Sequence, residues 1–201
     1  MKLFSMTMLM LAVISSMALA QISSTAHDFS GSTWSGGEIC VPCHTPHNAD
    51  VSVTNAPLWN HALTTQTYTL YTGYKMNATV AQPGGISKLC LSCHDGTVAL
   101  DSFGGVTGTT MIGSGNSNLG ATLANDHPIG FTYNATLATN DGELYDPTTT
   151  NSGLGSTIHN DLLASGNLEC SSCHDVHDDT NSPFLVKSNA SSALCLTCHN
   201  K

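Results

Sequence analysis

Every cysteine in the chain belongs to one repeated pentapeptide, Cys-x-x-Cys-His, and no other feature constrains the fold as much. The copies are Cys40-Val-Pro-Cys43-His44, Cys90-Leu-Ser-Cys93-His94, Cys170-Ser-Ser-Cys173-His174 and Cys195-Leu-Thr-Cys198-His199. Two thiols followed at once by an imidazole form the attachment pattern of c-type haem. The thiols add across the porphyrin vinyl groups, and the adjacent histidine turns back to bind iron from one face. Zinc sites and disulfide frameworks also use paired cysteines, but neither calls for histidine directly after the second one. Histidine supplies only 10 of 201 residues, so its return at all four positions is not an accident of composition. The sequence therefore predicts four covalently bound haem c groups. Their attachment residues are Cys40, Cys43, Cys90, Cys93, Cys170, Cys173, Cys195 and Cys198, with His44, His94, His174 and His199 as proximal iron ligands.

Four cofactors leave roughly 45 residues each in a chain of this length. A polypeptide divided in that way cannot also build a large side-chain core, so the porphyrins must supply much of it. The fold class expected is a multihaem cytochrome c of irregular loops, short helices and little sheet, organised around a chain of stacked haems. Abundant Gly, Ser, Thr and Asn and scarce periodicity agree with this. Thr67 to Tyr74 is the stretch best suited to a short strand or extended loop. Without haem the chain is expected to stay largely unfolded.

Residues 1–20 read as a secretory signal peptide, with Lys2 ahead of an apolar run and Ala18-Leu19-Ala20 as the cleavage site. The apolar run is too short and interrupted for a membrane span. Residues 21–201 then form a single tetrahaem domain with an N-terminal arm over 21–39. An extracellular or cell-surface location is expected, with the periplasm as the alternative. The chain has five Lys and Arg against fourteen Asp and Glu. That balance excludes a basic footprint for nucleic acid and a polybasic patch for anionic lipid. The two motif pairs also hint at an internal repeat, since Cys40 to His47 reads CVPCHTPH and Cys170 to His177 reads CSSCHDVH.

The second face of each iron decides between electron transfer and catalysis, because an open face admits substrate. Six histidines remain for four places: His27, His47, His61, His127, His159 and His177. After cleavage only Met76 and Met111 persist, so methionine cannot serve throughout, and four bis-histidine haems of relatively low potential are the economical solution. His47 and His177 lie three residues beyond a proximal histidine, too close to cross to the far face of their own haem. Each is expected to serve a different haem. His127 precedes Pro128, which stiffens it. His27 on the arm is the fourth distal ligand expected, with His61, beside Pro57-Leu58-Trp59, as the alternative. His159 reads as a loop histidine.

The order His27-Asp28-Phe29-Ser30, CVPCHTPH, Pro57-Leu58-Trp59-Asn60-His61, CLSCHDG, Asp126-His127-Pro128, CSSCHDVH and terminal CLTCH-Asn-Lys resembles exported multihaem cytochromes with doubled motifs. Among them it is similar to the tetrahaem OmcE-like cytochromes of metal-respiring bacteria, which polymerise into extracellular filaments. The resemblance implies a continuous haem chain in each subunit and a histidine donated from one subunit to a haem of the next. By position that donor would be His27, or else His61. It implies a homopolymer that conducts electrons to redox partner proteins or acceptors outside the cell. Two other functions compete. A monomeric periplasmic tetrahaem shuttle keeps the chemistry without the assembly. A reductase of a small oxyanion needs an open iron, which the surplus of histidines argues against, so an electron carrier rather than an enzyme is expected.

Overall fold

Regular structure is sparse because most of this chain is spent on turns that present cysteines and histidines. A computed structural model describes residues 22–201; the expected signal peptide over 1–20 lies outside the described residues. The longest element, α1 (Gly85–His94), carries the whole second motif. Gly84 offers its N-terminus no side-chain cap. Instead the carboxylate of Glu169 accepts the Ser87 amide hydrogen at 3.1 Å, satisfying one of the unpaired N–H groups every helix start leaves. Gly85 makes this approach possible. Its φ is +47°, and a Cβ there would lie 3.0 Å from Glu169 Oε1.

A second region is built by β1 (Phe131–Thr132), α2 (Ala135–Asp141), α3 (Ile158–Leu162) and β2 (Asn167–Leu168). The strands pair antiparallel, with Phe131 opposite Leu168. Asn134 caps α2 by accepting the Leu137 amide hydrogen at 2.9 Å, and Gly142 ends it in the left-handed conformation. Thr157 caps α3. Phe131, Tyr133, Leu137, Ala138, Ile158, Leu162 and Leu168 form the largest apolar cluster, and Cys198 packs against it. Two smaller clusters exist. Val53, Trp59 and Leu89 pack with Cys43, while Tyr68, Leu91 and Leu123 lie on the other side of α1. Side-chain packing is thus broken into small groups around attachment cysteines, as expected of loops folded about cofactors. The last element, α4 (Cys195–Cys198), holds the fourth motif.

The stretch expected to be extended, Thr67 to Tyr74, is extended without becoming a strand; its one ladder contact is Thr69 with Thr122. The arm packs onto its own chain through a run of rings: Phe29 on Trp34 at 5.1 Å between centroids, and Trp34 on Phe103 at 6.1 Å. Among the described residues no helix is long and apolar enough to cross a membrane.

The hinted repeat is visible in the backbone. After the first motif, Thr45 donates to the Leu58 carbonyl and Asn60 to that of Cys43, at 2.9 Å each. After the third, Asp175 donates to Phe184 at 2.8 Å and Val186 to Cys173 at 3.0 Å. The fourth repeats the pattern, with Asn200 donating to Glu143 at 2.8 Å and Tyr145 to Cys198 at 2.9 Å. In each, a second segment clamps the motif with two antiparallel bonds. Leu58 and Phe184 occupy matching places in the clamp and share a positive φ, 55° and 58°.

Candidate haem-attachment sites

The first, third and fourth motifs close by the same tight turn. The His44 amide hydrogen reaches the Cys40 carbonyl at 2.8 Å, His174 reaches Cys170 at 3.0 Å and His199 reaches Cys195 at 3.0 Å. The second motif achieves the same turn within α1. Such a turn puts both sulfurs on one side and swings the imidazole back over them. All eight thiols are free, with none in a disulfide. Among the described residues no three His, Cys, Asp or Glu converge on one point, the arrangement a zinc site requires.

The clamps also fix the histidine tautomers. Nδ1 of His44 lies 2.6 Å from the Pro57 carbonyl, that of His94 2.7 Å from Ser117, and that of His174 3.0 Å from Pro183. A carbonyl can only accept, so Nδ1 carries the proton and Nε2 keeps its lone pair for a metal. Nδ1 of His127 is likewise 3.0 Å from the Pro128 carbonyl, and that of His177 lies 3.4 Å from the Asp175 carboxylate.

These imidazoles meet in pairs. The rings of His44 and His177 are 6.1 Å apart and nearly parallel, at 19°. His94 and His27 are 5.9 Å apart, and His199 and His127 6.2 Å. A bond of about 2 Å from nitrogen to a first-row metal, plus roughly 1 Å from nitrogen to ring centre, places two imidazoles across one iron about 6 Å apart. The three pairs have that separation, so the residues present fit bis-histidine haem. Burial first, then His94 and His177, lower the pKa of His27 to about 4, which keeps it neutral and able to bind a metal. Its Nδ1 is buried without a hydrogen-bond partner among the described residues.

The remaining histidines lie elsewhere. His27, expected by position to reach toward another subunit, packs inside its own chain against His94 and Phe184. His61 is 3% exposed, with Nδ1 2.8 Å from the Ala62 carbonyl and Nε2 3.0 Å from that of Ala99. A neutral imidazole has one N–H, so His61 donates to one of these carbonyls; with Cys93 Sγ 3.5 Å from Nε2 it packs against the second motif and faces no proximal imidazole among the described residues. His47 is exposed and faces no proximal ring, and His174 faces no second imidazole among the described residues. His159 begins α3 and meets the Pro147 carbonyl through its amide.

The thiols show which sites adjoin. Burial raises Cys43 to about 11, and burial followed by the nearby Cys43 raises Cys93 to about 12. Cys90 shares a hydrogen bond with Cys170, which together with burial raises Cys90 further. Burial and then Cys173 raise Cys198 to about 11. Thiols of successive motifs are thus near enough to act on one another: Cys43 on Cys93, Cys170 on Cys90 and Cys173 on Cys198. Sequence reasoning missed the parts that arrange this: the Pro57 and Pro183 carbonyls, the Glu169 cap and the polar residues behind the second motif. Only the matching Pro57-Leu58 and Pro183-Phe184 pairs left any trace in the sequence.

Residues 162–201, which contain the third and fourth motifs, match the family model for the doubled CXXCH motif. That match supports a multihaem c-type cytochrome with covalently bound haem c, a class that serves electron transfer. No curated protein matches the chain.

Proposed function

We propose that this chain is an exported tetrahaem electron carrier that assembles end to end into an extracellular filament. Four bound haems would supply one-electron chemistry at closely spaced sites. The protein's task would be to hold them in order: thiols of successive motifs lie near one another, and His44, His94 and His199, each facing a second imidazole, would hold their irons from both faces. Ligation of that kind changes little between oxidation states, so transfer requires little rearrangement.

One observation carries the assembly. Three proximal histidines meet a second imidazole in their own chain, whereas His174 meets none and His47 is exposed without a partner ring. A second copy presenting His47 to the third site would complete it and extend the row of cofactors across the junction. His47 thereby replaces His27 as the donated histidine.

Electron microscopy of the haem-loaded protein, beside its His47→Ala variant, tests this. Ordered filaments from the parent chain and discrete particles from H47A, with one haem turned high-spin, are expected. Discrete particles from the parent at high concentration would overturn the filament and favour a monomeric shuttle. Intact filaments from H47A would remove His47 from the junction, and His159→Ala serves as the control histidine.

A further inference from the structure

Asp95 directly follows the second motif and is only 4% exposed. A carboxylate is rarely so buried unless something balances its charge. Here the balance comes from neutral donors. Tyr68 donates its hydroxyl to Oδ2 at 2.6 Å, and Thr64 donates to the same oxygen at 2.5 Å. Thr97 gives Oδ1 both its hydroxyl and its amide hydrogen, each at 2.7 Å. Four donors converge on two oxygens, an arrangement built for the ionised group, which only accepts. The donors are themselves fixed. Gln82 grips the Tyr68 backbone at 2.8 and 2.9 Å, and the Thr64 amide binds Ser92 Oγ in α1 at 3.0 Å.

Hydrogen bonds stabilise a negative charge without cancelling it, and in a buried setting that charge acts strongly on neighbours. The residues directly following the other motifs are Thr45, Asp175 and Asn200. Of these only Asp175 is acidic, and its side chain is 51% exposed, where water screens it. Glu169, the other acid buried beside a motif, accepts the Ser87 amide hydrogen at the N-terminus of α1, and the helix end offsets its charge. An uncancelled buried negative charge beside an iron favours the ferric, more positive state.

We propose that Asp95 sets the potential of the second haem and makes it the most negative of the four, so that electrons cross this interior site and do not rest on it. The proposal rests on reading Cys90 to His94 as a haem-attachment motif. Asp95 acts as a positioning charge, held by Tyr68, Thr64 and Thr97.

Spectroelectrochemical titration of the haem-loaded protein tests it, with haem content checked by mass and low-spin absorption. Asp95→Asn should shift the most negative of the four components upward and the others less, while Asp175→Asn leaves the curve close to the parent. Tyr68→Phe removes one donor from the charge and should move the same component downward. Loosening of the pocket would admit water and lower the potential, so an upward shift in D95N separates charge from damage. A loaded D95N protein whose curve overlays the parent, or moves downward, overturns the proposal. Should D95N fail to load, an unmoved or raised component in Y68F overturns it. A parent chain carrying no covalent haem would overturn the attachment reading, and this proposal with it.

Discussion

Single residues in this chain do unusually separate jobs, and substitutions should expose them one at a time. His127 faces His199 at 6.2 Å and holds its own tautomer through the Pro128 carbonyl. His127→Ala should leave covalent haem content unchanged and convert one haem from low- to high-spin, readable by absorption and electron paramagnetic resonance. His61→Ala should change no haem's spin state, because its buried ring packs on Trp59 and the Cys93 sulfur and faces no proximal imidazole among the described residues. Losing its one donated bond and its packing from a buried site is expected to destabilise the fold by about 1–3 kcal/mol, seen as a lower melting temperature. The Cys-x-x-Cys-His turns were legible from spacing alone because the motif is local, and the family match covers the last two of them. The partner of each proximal ring was not, since His27 and His44 are brought to His94 and His177 by folding, and spacing says nothing of that. His61 sits beside an apolar Pro-Leu-Trp run whether it binds iron or backbone, so the sequence left its role open.

At the scale of elements, α1 depends on a contact across the fold. Gly85→Ala would place a methyl group 3.0 Å from Glu169 in a positive-φ position, costing about 1–3 kcal/mol and lowering the melting temperature of the loaded protein. The two buried acids at either end of this helix give opposite pH dependences. Burial raises the pKa of Glu169 above its ordinary 4.5, so its stabilising contribution is full below that pH and is lost as pH rises through the raised value. Burial pushes Asp95 up as well, but the bonds from Thr64, Tyr68 and Thr97 outweigh it and leave the pKa below 3.8. Its contribution is therefore present above pH 3.8 and lost as pH falls through the lowered value. Melting curves from pH 3 to 7 should show Glu169→Gln flattening the loss on the alkaline side of roughly pH 4.5. None of this was legible in advance. Gly84-Gly85 reads as a loop, and a cap supplied from Glu169 has no local signature in a helix whose only cue is a motif.

For the molecule as a whole, the three small apolar clusters predict dependence on cofactor. Chain produced without haem attachment should lose most of its protease resistance and near-ultraviolet circular dichroism, because Trp59 and Leu89 share a cluster with only Val53 and the partly buried Cys43, Ala56 and Leu63. The loop-rich class was legible from the residue count available to each cofactor. The repeated clamp was only hinted at, since its bonds are made by backbone and its segments lie at unequal distances: Pro57 follows His44 at one interval, Pro183 follows His174 at another, and Glu143 precedes His199. A local search for similarity cannot find a repeat whose second half sometimes comes first.

The facing of His44 by His177 also has a consequence in time. A chain is made from its N-terminus, so His27 is already present when His94 emerges, and His127 is present when His199 does. The first site has no such advance partner. On the proposed pairing it would wait with one face uncovered until the third motif and the three residues after it have been made, so the first site is completed long after its own motif.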